Sequence, residues 1–238
     1  MKRITKIALM CGLGAGIVGG ASAQTIVFSD TFKGANTGVS SGSFSTVLTP
    51  GSFSDSNATW KVFTDQTHTA SVDVVGGTFG NDNSLTPDAP GGSNWVDTLG
   101  TDTQSPFNSA GPAGISTTIA GLTAGTYTVS FDFLQNNNAK ELVNLGSTDF
   151  SNTNTPVSGT SISGTGSTWV NASATFTVGS GTNYLSFYSV QGMGANSSQQ
   201  TAGVTNVVVS QVVPEPMPTA IAGAAAIFGF LALKRRTA

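Results

Sequence analysis

Residues 126–134 read Thr-Tyr-Thr-Val-Ser-Phe-Asp-Phe-Leu, an alternation of polar and apolar side chains that is strict through Phe133. In an extended chain Tyr127, Val129, Phe131 and Phe133 fall on one side, and Thr128, Ser130 and Asp132 on the other. A side-chain period of two is the pattern of a strand with one buried face and one wetted face. Four large apolar groups in a row must be covered, so this segment demands a sheet packed against a second layer. Val170, Ala172, Ala174, Phe176 and Val178 repeat the pattern. Further strands are expected at 25–28, 59–63, 70–75, 94–98, 114–119, 141–145, 169–178, 183–190 and 204–210, separated by Gly, Asn, Asp, Ser and Pro clusters. Residues 33–50, 76–92, 100–111 and 150–166 read as polar connections. No segment of the body sustains a 3.6-residue apolar period. The expectation is all-β, one β-sandwich or barrel over 24–213.

The two ends differ in character from this body. Residues 1–23 join a basic start (Lys2, Arg3, Lys6), an apolar Gly-rich run and Ala21-Ser22-Ala23, the three parts of a secretory signal peptide. Signal peptidase is expected to cut between Ala23 and Gln24. The chain's one cysteine, Cys11, lies inside that segment, so the body has neither a disulfide nor a thiol nucleophile. At the other end, residues 217–233 form an uncharged run of seventeen, the lower limit for a membrane-spanning helix. Lys234, Arg235 and Arg236 follow as a basic stop that holds the tip in the cytoplasm. Ahead of the run, Pro214 and Pro216 keep the backbone extended around Glu215, the form in which proteolytic enzymes commonly read a segment.

Pro214-Glu215-Pro216, the Ala/Gly/Phe-rich run and the terminal basic cluster together resemble the PEP-CTERM sorting signal of Gram-negative, exopolysaccharide-producing bacteria. The resemblance covers 214–238 and implies recognition by a membrane exosortase, then release or attachment at the cell surface. In the body, Trp60-Lys61-Val62-Phe63, Asn94-Trp95-Val96-Asp97-Thr98, Gly121-Leu122-Thr123-Ala124-Gly125-Thr126-Tyr127-Thr128-Val129-Ser130-Phe131 and Val204-Thr205-Asn206-Val207-Val208-Val209 occur in that order. This series resembles galactose-binding-like domains of the DUF642 type over about residues 60–210. What it implies is a jelly-roll β-sandwich with a carbohydrate-binding role and a structural calcium as candidate cofactor.

Charge narrows the partners. Six of the nine basic residues lie at the two ends, leaving Lys33, Lys61 and Lys140 against eleven acidic residues in the body, a net charge of about −8. Phosphate neutralisation needs clustered Lys or Arg, so nucleic acid is excluded as a partner. A neutral polysaccharide suits this charge better than an acidic one.

Catalytic signatures are thin. His68 is the sole histidine, and neither a Gly-x-Ser-x-Gly elbow nor a His-Glu-x-x-His motif occurs. Glycoside hydrolysis needs two carboxyl groups across a cleft. Glu141 is the body's only glutamate, with Asp97, Asp102 and Asp132 as candidate partners, and spacing does not show which converge. Asn81-Asp82-Asn83 and Asp88 offer oxygen ligands for calcium, although such runs are also ordinary turn chemistry. Trp60, Trp95, Trp169, Tyr184 and Tyr188 are rings that could stack on a sugar or fill a core. Tyr184 and Tyr188 share one face of their strand, opposite Leu185 and Phe187, and form the sequence's candidate stacking pair. The reading that results is a non-catalytic, secreted carbohydrate-binding or scaffolding protein of the cell surface or extracellular matrix, transiently anchored through its carboxy terminus. The alternatives are a secreted glycan hydrolase and a structural surface protein without a defined ligand.

Overall fold

The computed structural model describes residues 24–213 except 36–38, 41, 65–69, 80–87, 100–112, 137–139, 153–156, 164–167 and 191–200. Among the described residues, thirteen strands follow one another through the unit Gln24–Val213. They are β1 (Gln24–Asp30), β2 (Phe44–Leu48), β3 (Gly51–Ser54), β4 (Thr59–Phe63), β5 (Ser71–Val75), β6 (Trp95–Asp97), β7 (Gly114–Leu122), β8 (Gly125–Asn136), β9 (Lys140–Gly146), β10 (Thr160–Ser163), β11 (Trp169–Val178), β12 (Gly181–Val190) and β13 (Thr201–Val212). Two short 3-10 turns, Pro90–Gly92 and Phe150–Asn152, lie between strands.

The strands make two antiparallel sheets. One runs β11-β8-β13-β6-β5-β2, with β1 paired to β13; the other runs β10-β9-β12-β7-β4-β3. Every strand expected from alternation is present. Three more, β2, β3 and β10, are short; β2 and β10 fall inside segments that read as connections.

Register explains the core. In β8, Tyr127, Val129, Phe131 and Phe133 are buried, while Thr128, Ser130 and Asp132 are half-buried on the outer face. Val204, Val207 and Val209 of β13 and Val72 and Val74 of β5 extend the inner face of this sheet. Trp60, Ile115, Val143, Leu185 and Phe187 face them from the six-stranded sheet. Phe131 meets Phe187 edge-on at 5.0 Å, so one aromatic pair ties the two layers together. The Trp60 ring is fully buried against Phe32 at 5.3 Å, and its indole N–H donates to Asp30 Oδ2 at 2.7 Å. That indole is core, its polar edge satisfied by a buried carboxyl.

Candidate functional site

The tyrosine pair does not form an open platform. Leu185 and Phe187 are buried on the inner face of β12, as alternation requires, and Tyr184 is half-buried on the outer face. Tyr188 shares that outer face but is only 3% exposed. It stacks on Phe63 at 5.7 Å, and Phe150, from the 3-10 turn beyond β9, closes over the same cluster. A ring covered in this way packs the fold and offers no face to a sugar.

The carboxyl candidates divide into two groups. Glu141, on β9, is fully buried and accepts the Thr98 hydroxyl at 2.8 Å through Oε2, while its Oε1 has no hydrogen-bond partner. Asp97, on β6 of the other sheet, accepts the backbone N–H groups of Leu99 at 3.0 Å and Ala202 at 3.1 Å. Burial, reinforced by Asp73 opposite, pushes Asp97 up to about 7. Burial also raises Glu141 well above the usual carboxyl range, with Asp97 adding to the rise and the Thr98 hydroxyl opposing it. The structure thus brings Asp97 and Glu141 into electrostatic contact across the two sheets, but inside the protein. Among the described residues, no three His, Cys, Asp or Glu side chains gather as metal ligands. His68, Asn81-Asp82-Asn83 and Asp102 lie outside the described residues, as do 1–23 and 214–238; Asp88 is exposed.

Asp132 belongs to a different constellation. Three antiparallel strands place Asn171 (β11), Asp132 (β8) and Thr205 (β13) side by side on the outer face of the seven-stranded sheet. Between Thr205 and Val208 the β13 register slips, and Asn206 takes a left-handed conformation with φ 50°. That bulge turns the Asn206 side chain toward β8, and its amide donates to Asp132 Oδ2 at 2.7 Å. Asn171 donates to Asp132 Oδ1 at 3.2 Å. The Ser93 hydroxyl donates to Asn206 Oδ1 at 3.1 Å, and Thr205 Oγ1 donates to the Asn94 carbonyl at 2.6 Å. One carboxylate therefore holds two amides that arrive from opposite sides.

One row along the same face is aromatic. Trp169 (β11), Leu134 (β8) and Gly203 (β13) are paired across the sheet. Trp95 lies over Gly203, where an added Cβ would meet its ring at 3.0 Å and Leu134 Cβ at 3.1 Å. Trp169 stands against Trp95 edge to face at 5.7 Å and 81°. Trp95 is buried, whereas Trp169 is half-buried and Asn171, Ser173 and Thr175 below it are exposed. The result is a tryptophan braced from behind, next to a fixed carboxylate–amide triad and a ladder of hydroxyls. Such a surface offers a ring face for C–H groups and fixed donors and acceptors for hydroxyl groups. Sequence alone singled out Trp169 and Asp132 separately; Asn206 entered only within the motif 204–209, and Asn171 carried no signal.

Comparison with known proteins adds likenesses of strand arrangement. No protein-family model matches the chain, and no curated protein matches it. Among solved structures it is similar to a family 61 carbohydrate-binding module in complex with β-1,4-galactotriose, at 17% identity and TM-score 0.41 over 64% of this chain and 88% of that one. It is similar to the CBM22-1 xylan-binding domain from Paenibacillus barcinonensis, at 11% identity and TM-score 0.40 over 82% and 99% of the two chains. A family 35 carbohydrate-binding module from Clostridium thermocellum is similar at 12% identity and TM-score 0.36, covering 79% and 98%.

Proposed function

We propose that this chain is a secreted, non-catalytic carbohydrate-binding or scaffolding protein, sorted through 214–238 by an exosortase, with its ligand face on the outer side of the seven-stranded sheet. The observation that carries the ligand face is the Asn171–Asp132–Asn206 triad beside the braced Trp169. The jelly-roll reading is supported by the order of the strands, which pass repeatedly between the sheets, β7 to β8 to β9 and β11 to β12 to β13. Net negative charge in the body favours a neutral glycan. A half-exposed ring with few polar contacts supports modest affinity, about micromolar to millimolar, because little contact energy offsets lost translational freedom.

The test is retardation of the mature protein in gels cast with neutral polysaccharides, with parent, Trp169→Ala and Asn171→Ala compared. Retardation of the parent and its loss in both variants is expected. Equal retardation of all three would remove the site. A glycan hydrolase is the second reading, and Asp97 and Glu141, both raised by burial, are the pair it would have to use. New reducing ends released by the parent, and not by Glu141→Gln, would replace the binding module with that enzyme.

A further inference from the structure

The outward-facing apolar residues are not scattered. Five large hydrophobic side chains stand out as exposed among the described residues: Ile26, Val27, Phe44, Leu48 and Val213. Three of them belong to one end of the seven-stranded sheet. Gln24, the first residue of β1, pairs with Val212, the last residue of β13, so both ends of the body emerge side by side there. Ile26, 64% exposed, pairs with Ser210 on the outer face. Val27, 38% exposed, sits at the β1 bulge, where the register slips between Ile26 and Phe28. Val213, 39% exposed, follows directly on β13.

Single exposed aliphatic residues are ordinary on a protein surface. Three that surround the chain exit are a patch, and their surroundings suit a lipid surface. The turn between β7 and β8 reads Thr123-Ala124, and that between β11 and β12 reads Gly179-Ser180; neither carries a charge. A body of net charge about −8 is repelled by an anionic bilayer wherever its carboxylates lead, and here none of those residues is charged. The sequence beyond Val213 supplies the reason for a bilayer to be near. Only Pro214-Glu215-Pro216 separates it from the uncharged run that starts at Met217, and four residues span at most about 14 Å.

We infer that the β1 edge around Ile26 and Val27, together with Val213, is a docking surface for the phospholipid bilayer that receives the carboxy-terminal run. The inference rests on the anchoring part of the proposed function. Docking of this end turns the opposite end of the sheet, with Trp169, away from the membrane. Gly203, in the Trp169 row, precedes Val212 by nine positions on one strand, roughly 30 Å at the rise of a strand.

The body lacks cysteine, so single labels are clean. Val27→Cys, Ile26→Cys and Leu48→Cys, each in the mature chain with its tail intact, are labelled with an environment-sensitive dye and reconstituted into vesicles of neutral and anionic phospholipid. Leu48 is the control. It is 50% exposed, but it lies two positions beyond the Thr46–Asp73–Asp97–Gly203 row, on the side away from Ile26. The expected result is flotation of all three proteins with the vesicles. The emission at 26 and 27 shifts to the blue and is quenched by lipid-borne quenchers, with no change at 48. Flotation with the same emission at all three sites would overturn docking and leave the anchor standing. Failure to float would overturn the anchor reading and the docking with it. Ile26→Cys guards against a Val27 variant that does not fold.

Discussion

Asp30 gives the sharpest quantitative test of the structure. Its carboxyl is buried at the end of β1, where Oδ1 accepts the Phe32 N–H at 2.7 Å and Oδ2 accepts the Trp60 indole at 2.7 Å. The Asp55 carboxyl is its acidic neighbour. Asp55 Oδ1 accepts the N–H groups of Asn57 and Ala58, but its buried Oδ2 meets no donor. A second carboxyl beside Asp30 disfavours its ionised form. Burial first, and then Asp55, push Asp30 from an ordinary 3.8 up to about 7. The folded chain thus binds the Asp30 proton more tightly than the unfolded chain. The stabilisation is complete below pH 3.8 and is lost as pH rises through about 7. That interval is worth at most about 4 kcal/mol, or roughly 10 °C in Tm for a domain of this length. Asp55→Asn keeps the two backbone contacts through its carbonyl and presents an N–H to the ionised Asp30. The variant should lose clearly less Tm than the parent between pH 4.5 and 8, as calorimetry would show. Asp97 and Glu141 are also raised and impose the same direction on both proteins, so the difference between the two slopes isolates Asp30. Parallel slopes, or a parent more stable at pH 8, would refute the part Asp55 plays in raising Asp30.

Phe131→Ala should cost about 3–5 kcal/mol in urea unfolding, because the ring is fully buried against Phe187 and Phe133. Asp132→Ala should cost about 1–2 kcal/mol, since it releases Asn171 and the left-handed Asn206 without opening the core. Amino-terminal sequencing of the secreted protein should begin at Gln24; a product still carrying Cys11 would overturn the signal peptide. In a host with an exosortase, Glu215→Ala should block removal of the tail but leave membrane insertion intact, and equal processing of variant and parent would refute the sorting signal.

Strands that alternate over five or more residues were legible because alternation is a property of one segment. β2 (Phe-Ser-Thr-Val-Leu), β3 (Gly-Ser-Phe-Ser) and β10 (Thr-Ser-Ile-Ser) are too short to sustain an alternation, and they become strands through the neighbours they pair with. The same limit applies to the site. Asp132 stands 39 positions from Asn171 and 74 from Asn206, so only cross-strand register, and a bulge within it, unites them. Tyr188 shows the converse. Its strand face was readable, but the Phe150 that covers it comes from a stretch whose composition reads as a loop.

The pairing of Gln24 with Val212 also fixes how a pull would enter the fold. A polymer held at Trp169 and a tether leaving at Val213 would load β11, β8 and β13 along their length. Ten residue pairs join β11 to β8, and nine join β8 to β13. Tension directed along such ladders bears on many hydrogen bonds together, as shear, and does not open them one after another from an end. The inner faces of β8 and β13 slide only if Phe131, Phe133 and Val209 leave the core. Drag on a captured polysaccharide would therefore meet the sandwich in its stiffest direction.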